Sequence, residues 1–354
     1  MIVMTIGGKV NEGSQQASCP VCGNERGLAR LWQASSEEAA QHFVLKEKNQ
    51  ERHQALKAQI EILWRKDTCD IVQCDECGFC FSHPYVSGDA KFYDLAFHGS
   101  GYPSWKWEFQ LTYDELKNNP APTDPLLEIG AGNGAFVSRI ADNVMPRDRI
   151  LCTEFSVTGA EAIQKLGVKC LQKDVRQLND EEFRGAFQTV CMFQVLEHMD
   201  DLHILFSKLN WLLKDGGSLF IAVPNEKRIA FNEAHGALMD MPPNHVGRWT
   251  QPAFDKILRK YGFTLRQHRV EPISLVASAR GFALYRYLRS SQRRNSIANV
   301  VERINSRPLR AAMRIAGLGV HVLAAAPVFF KMSRDCGYSQ WVHAVKTGTS
   351  TNVG

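Results

Sequence analysis

The chain has 354 residues, of which 44% are hydrophobic and 22% charged, and a formal net charge of +5. That balance suits a globular protein of one large or two smaller domains, and so mild a charge does not by itself call for nucleic acid. Ten cysteines, with no sustained apolar run in Met1–Val10, argue against a secreted disulfide framework and predict thiols or metal ligands in a reducing, cytoplasmic compartment.

The first expected element is a metal-binding module. Cys19-Pro20-Val21-Cys22-Gly23 and Cys74-Asp75-Glu76-Cys77-Gly78 are two copies of one device. The two-residue spacer lets both thiolates face one ion, and the glycine permits the turn that aims backbone N–H groups at sulfur. Cys19, Cys22, Cys74 and Cys77 therefore predict a closed structural Zn²⁺ site, with Cys69 and Cys80 near enough in sequence to replace a ligand. Between the pairs, Ser35 and Glu38 have the spacing of a capping box, and the mixed charges from Lys46 to Glu61 predict a solvated helical face. An aromatic stretch follows, with Phe92, Tyr93, Tyr102, Trp105 and Trp107.

From residue 125, apolar strands alternate with helical patterns, which predicts an α/β sheet of mostly parallel strands. Leu126–Ile129 runs into Gly130-Ala131-Gly132-Asn133-Gly134, glycines that let backbone approach a ligand but also fit a dinucleotide pattern. Ile150–Thr153 ends at Glu154, a third strand ends near Lys173-Asp174-Val175, and Thr189–Phe193 runs into Gln194-Val195-Leu196-Glu197-His198. A helix opening at Asp200 carries Leu202, Leu205, Phe206, Leu209, Leu212 and Leu213 as a core stripe, and Ser218–Val223 is the next buried strand. Open sheets of this kind bind ligands beyond the carboxyl ends of their strands, where Glu128, Glu154, Asp174 and Gln194 all fall. Taken singly, each acid could instead be a helix cap or a solvated turn residue.

On these residues the chain resembles a class I S-adenosylmethionine (SAM) methyltransferase, over roughly residues 90 to 270 plus a last strand near the C-terminus. The resemblance implies that Glu128 and Gly130 border the methionine part of SAM, with Gly132 and Gly134 lining the loop. It further implies that Glu154 holds the ribose, Asp174 the adenine edge, and that Gln194 lies beside the sulfonium. A cysteine zinc module followed by an aromatic stretch is similar to methyltransferases of sugar, glycan and natural-product pathways. There the stretch lies over the cofactor; here, packing between modules explains it as well. Two histidines are candidate bases for an alcohol acceptor, His198 in the fourth strand's corner and His245 in Pro242-Pro243-Asn244-His245-Val246-Gly247-Arg248-Trp249-Thr250. His198 could equally cap the next helix and His245 orient its own loop, while Arg248 could pair with an acidic acceptor or a local carboxylate.

Gln251–Tyr261 predicts a helix, Phe263–Val270 a strand, and Gly337–Val345 a final strand. Between the strands, over the stretch from Arg280 to Arg314, Arg280, Arg286, Arg289, Arg293, Arg294, Arg303, Arg307, Arg310 and Arg314 stand against one acid, Glu302. The apolar run from Ile315 to Phe330 is interrupted by Gly317, Gly319, His321 and Pro327 and is shorter than the roughly 20 residues that span a bilayer. This segment reads either as a helical lid or subunit contact, or as an interfacial element near anionic lipid.

The expected architecture is a Rossmann-like methyltransferase sheet with a zinc module at 1–88, a SAM-binding core at 89–271, a basic and apolar helical insertion at 272–336, and a last strand and tail at 337–354. The expected activity is O-methylation of a sugar, glycan or related small molecule by a cytoplasmic enzyme able to sit at the inner face of a membrane. The rival reading is an RNA base methyltransferase, since some ribosomal RNA enzymes also place a cysteine zinc site before the SAM domain. The absence of an Asn-Pro-Pro-aromatic corner after the fourth strand argues against it, so nucleic acid is not the expected partner. A third reading is a non-enzymatic scaffold that retains the fold, which the intact strand ends argue against.

Overall fold

The computed structural model describes residues 8–9, 17–97, 105–118, 124–234, 240–291, 296–329 and 335–347. Of the residues singled out above, Tyr102, Arg293, Arg294 and Phe330 lie outside these, as do the side chains of Arg289 and Pro327.

In chain order, β1 (Gly8–Lys9) and β2 (Leu28–Ser35) lead into α1 (Ser36–Phe43). Ser35 and Glu38 form the reciprocal capping box expected there. Helix α2 (Gln50–Trp64) keeps Leu56, Ile60 and Trp64 inside, and its charged residues lie mostly outward. Strands β3 (Thr68–Cys74) and β4 (Cys80–His83) follow, then α3 (Ala90–Ala96) and α4 (Trp107–Asn118). The alternating core begins with β5 (Leu126–Ile129), α5 (Ala135–Asn143), β6 (Ile150–Thr153), α6 (Val157–Lys165), β7 (Lys169–Leu171) and β8 (Phe187–Phe193). It continues with α7 (Leu202–Leu212), β9 (Leu213–Pro224), α8 (Glu226–Ala234), β10 (Gly247–Arg248), α9 (Gln251–Lys260) and β11 (Phe263–Val270). Helices α10 (Leu275–Ser291), α11 (Ile297–Glu302) and α12 (Arg307–Phe329) precede β12 (Ser339–Lys346).

Two sheets result. The larger has the order β11-β12-β9-β8-β5-β6-β7, parallel from β9 through β7, with β12 antiparallel to β9. Its inner strands are buried on both faces, as the unbroken apolar runs of β5, β6 and β8 require. The smaller sheet, β1-β2-β3-β4-β10, is antiparallel throughout.

The third core strand stops at Leu171, two residues before the expected Lys173-Asp174-Val175. Asp174 ends the extended run by accepting the Arg176 N–H and capping a short 3₁₀ turn at Val175–Gln177. The helix expected from Asp200 begins at Leu202, with Leu202, Leu205, Phe206, Leu209 and Leu212 buried. Thr250 caps α9, its hydroxyl accepting from the Ala253 N–H.

The chain divides into two compact units. One holds 1–226, 240–269 and 339–354; the other holds 227–239 and 270–338. The boundary expected at residue 88 falls inside the first unit. Strand β10, from the middle of the core sequence, closes the cysteine-bearing sheet, and the Thr250 hydroxyl donates to the Cys77 carbonyl at 2.8 Å. Phe79 packs against Trp249 with ring centroids 4.7 Å apart, so one core runs through both sheets. In the second unit, Tyr287, Ala298 and Val301 form a small core with Leu318 against it, and Tyr287 donates to Glu302.

Candidate functional site

The carboxyl end of β5 opens into a turn whose Gly130, Gly132 and Gly134 have φ of +68°, +57° and +79°. At Gly130 two constraints meet: a φ in the left-handed region, and a Cβ position that would lie 2.5 Å from Cγ2 of Val195. The turn is held from the next strand, Thr153 accepting the Gly130 N–H at 2.8 Å. Glu154 completes the clamp, with Oε2 accepting the Gly132 N–H and Oε1 the Ser156 N–H, both at 2.8 Å. Both contacts come from backbone, so the carboxylate retains acceptor capacity toward a ligand.

Glu128 is 2% exposed, and its Oε2 has no hydrogen-bond partner among the described residues. Burial holds its carboxyl well above the usual carboxylate range, opposed by Lys106. A buried acid with an unpartnered oxygen is costly unless a ligand completes it, and a cationic group is the complement. Gln194 directly follows β8 at φ +58°, rare for a residue with a Cβ. Its N–H donates to the Ala222 carbonyl at 2.7 Å, and its Nε2 to Glu108 Oε1 and Ser339 Oγ at 3.1 Å each. Asp174 lies at the expected end of the sheet but is engaged by the Arg176 guanidinium, whose Nη1 also reaches Asp200 Oδ1 at 2.9 Å.

The two histidines come together. His198 and His245 meet edge-on with ring centroids 4.7 Å apart. The Nδ1 of His198 donates to the Asn244 carbonyl at 2.8 Å, with the Tyr93 hydroxyl 3.3 Å from the same nitrogen. The Nδ1 of His245 is 2.7 Å from Asp240 Oδ1. Hydrogen bonds to oxygen acceptors fix both neutral rings with the proton on Nδ1 and the lone pair on Nε2. Burial, aided by His245, pushes His198 down to about 3. Burial also acts to lower His245, but the Asp240 carboxylate outweighs it and the net shift is upward. Glu197, 1% exposed, is pushed up to about 7 by burial, and its Oε2 is unpartnered among the described residues. Arg248 is buried and donates from Nη2 to the Asp240 backbone carbonyl at 3.1 Å.

Glu197, Asp240, Glu108 and Tyr93 were not singled out as site residues from the sequence. Glu197 carried a signal, an acid at the end of an apolar strand beside His198. Asp240 had only its place five residues before His245, and nothing in that spacing announces a contact.

At the N-terminal sheet the four Sγ atoms of Cys19, Cys22, Cys74 and Cys77 lie within 4.8 Å of one another, a group that leaves out Cys69 and Cys80. Cys19 and Cys77 are 3.6 Å apart at sulfur, Cys22 and Cys74 3.5 Å. A disulfide needs about 2.05 Å, whereas four sulfurs about 2.3 Å from a tetrahedral centre stand about 3.8 Å apart. The two knuckles repeat one backbone pattern: Gly23 N–H donates to the Cys19 carbonyl and Gly78 N–H to the Cys74 carbonyl, with both glycines at positive φ. The Cys19 thiol is pushed down to about 5 by its Cys77 contact against the opposing effect of burial, which favours a thiolate.

Residues 108–268 match the family described as a methyltransferase domain. That span contains the glycine turn, Glu128, Glu154, Gln194 and both histidines. A mitochondrial ubiquinone biosynthesis O-methyltransferase of Dictyostelium discoideum is 26% identical over 142 residues, 39% of this chain and 44% of the relative. The chain thus spans less than half the length of that curated relative. A putative sarcosine dimethylglycine methyltransferase from Galdieria sulphuraria is 14% identical, with a TM-score of 0.41 over 67% of this chain and 83% of that one. A SAM-dependent methyltransferase from Archaeoglobus fulgidus is 13% identical, with a TM-score of 0.43 over 67% of this chain and 91% of that one. The matched span, under half of the chain, supplies most of the seven-stranded sheet, and with β12 that sheet has the Rossmann-like fold of class I methyltransferases.

Gly130→Ala should destabilise the first unit by about 1–3 kcal/mol, since the methyl group meets Val195 and the backbone stays left-handed. Urea unfolding reads this directly; an unchanged midpoint contradicts the tight turn.

Proposed function

We propose that this protein transfers the methyl group of SAM to an oxygen of a small-molecule acceptor. One observation carries the reading: within a span that matches a methyltransferase domain, a buried carboxylate with an unpartnered oxygen, Glu128, stands beside a left-handed glycine turn. Glu128 would receive the ammonium of the methionine part, Glu154 the ribose hydroxyls, and the Gly130–Gly134 backbone would lie along the cofactor. Asp174, already paired with Arg176, would face the adenine edge only through its remaining acceptor capacity. When bound, SAM supplies an electrophilic methyl group on a sulfonium. The protein's contribution is alignment, for which Gln194 is held at three points, and good positioning is worth about 7–11 kcal/mol. The Glu197, His198 and His245 corner would take the acceptor. The Dictyostelium relative is named for O-methylation, which favours an oxygen acceptor here.

Glu154→Ala should weaken SAM binding by about 10- to 100-fold, the loss expected for hydrogen bonds to a charged group. Calorimetry with wild-type affinity in this variant, or tighter binding of a nicotinamide dinucleotide than of SAM, contradicts the assignment.

The four-cysteine group would hold structural Zn²⁺, its chemistry being that of a closed thiolate site. Elemental analysis should find about one thiolate-bound zinc per chain. Cys74→Ser should lose that equivalent and lower the melting temperature, because structural zinc binding is folding free energy. An ordered, metal-free wild-type protein rules the site out.

The second unit would meet an anionic membrane surface. On α12, Leu309, Met313, Val320 and Leu323 are exposed at steps of four, seven and three residues, which places them on one helical face. Arg307, Arg310 and Arg314 lie on the same helix. Among the described residues no helix is long and apolar enough to cross a membrane. An apolar stripe beside arginines suits an interfacial helix, and a lipophilic acceptor would be delivered there. The protein should cosediment with phosphatidylglycerol vesicles at low salt and detach as salt rises. Equal binding to phosphatidylcholine vesicles shows apolar insertion without charge recognition, and binding to neither leaves the stripe as a lid or subunit contact.

A further inference from the structure

We infer that Glu197, His198 and His245 form a divalent-cation site, separate from the cysteine cluster, whose open positions take the oxygen of the acceptor. One donor atom from each of the three residues lies within 4.8 Å of the others, and His198 Nε2 is 3.9 Å from Glu197 Oε1. Bonds of about 2.1 Å to a cation place neighbouring donors about 3 to 3.4 Å apart, so small side-chain rotations close the set. Three features make this more than a chance meeting of polar groups.

Each ring is oriented as a ligand. A metal-binding histidine donates its other N–H to a carboxylate or a backbone carbonyl, which fixes tautomer and direction. Here both devices occur: His245 Nδ1 on Asp240 Oδ1 at 2.7 Å, and His198 Nδ1 on the Asn244 carbonyl at 2.8 Å. The carboxylate is incomplete as it stands, because Glu197 is 1% exposed with an unpartnered Oε2. Finally, the corner is accessible. The side chains of His198 and His245 are 28% and 17% exposed, while Glu197 and Asp240 are enclosed. Three protein ligands with room for others describe a catalytic metal site more than a structural one. Two imidazoles and one carboxylate suit Fe²⁺, Co²⁺, Ni²⁺ or Zn²⁺ better than Ca²⁺.

The cation's role in transfer rests on the methyltransferase reading; its binding does not. On the cation an acceptor hydroxyl releases its proton to solvent more readily. Its oxygen then forms a bond to the methyl carbon as the carbon–sulfur bond breaks and its electron pair stays on sulfur. His245 acts in this arrangement as a ligand held by Asp240, and no free base is needed.

Cobalt(II) titration of the full chain, with the cysteine cluster already zinc-loaded, tests the site. Wild type should take up about one equivalent with weak visible d–d bands and no thiolate charge-transfer band, and added azide should shift those bands by occupying an open position. His245→Asn and Glu197→Gln should each weaken cobalt binding at least about 10-fold, with circular dichroism and SAM calorimetry unchanged. The inference is overturned if wild type takes up no cobalt beyond the cysteine cluster, if both variants bind it as wild type does, or if azide leaves the bands unmoved. SAM calorimetry keeps the two readings apart. Cobalt binding without SAM binding removes the methyltransferase reading and keeps the site, and SAM binding without cobalt does the reverse.

Discussion

The short backbone ladder between Gly247–Arg248 and Cys80–Phe81 is the contact on which the rest of the first unit depends. Two pairs of residues, 166 or more positions apart in sequence, bind the cysteine-bearing sheet to the loop that carries His245. The ladder continues on both sides, with Ser82 N–H donating to the Val246 carbonyl and Val246 N–H to the Glu197 carbonyl. One run of backbone therefore touches the N-terminal sheet and the corner after β8 at once. Trp249 and Phe79 fill the space beneath it, and each is fully buried.

That arrangement gives the cysteine cluster a part in the site without any chemistry of its own. Cys77 accepts from Thr250, the residue that caps α9 and lies five positions after His245. Tyr85 reaches the Met199 carbonyl, and Ser87 reaches Asp200, so the segment after the second knuckle also grips the His198 corner. A closed metal centre at Cys19, Cys22, Cys74 and Cys77 would stiffen this scaffold, and stiffness is what alignment of an acceptor against a fixed methyl donor requires. The polar groups of the site follow a single division of labour. Glu154 and Gln194 are tied at several points, whereas Glu128 and Glu197 each keep a buried oxygen without a partner among the described residues.

Local chemistry was sufficient for the elements that close on themselves. The Ser35–Glu38 box, the core stripe of α7 and the inner strands of the large sheet follow from residue type and period, because each is decided within a few turns of chain. The cysteine grouping was legible for the same reason: a repeated knuckle states its own geometry, and two knuckles need only meet. The third strand stops at Leu171, close to the expected Lys173-Asp174-Val175, and Asp174 there satisfies its own following backbone, a side-chain option that apolar pattern does not reveal.

The alternating α/β core, the four-cysteine group and the strand-end acids were legible along the chain, since periodicity, spacing and turn chemistry are local quantities, and the resemblance to class I methyltransferases rested on those residues. Tertiary structure alone decided that His198 and His245 share one corner with Glu197, and that Asp240 holds His245. It also decided that residues 247–248 belong to the N-terminal sheet and not to a separate core domain. Those outcomes depend on pairing residues far apart along the chain. Such pairs are selected by which buried surfaces and unpaired backbone groups meet in the folded core, and no short window of sequence contains both partners.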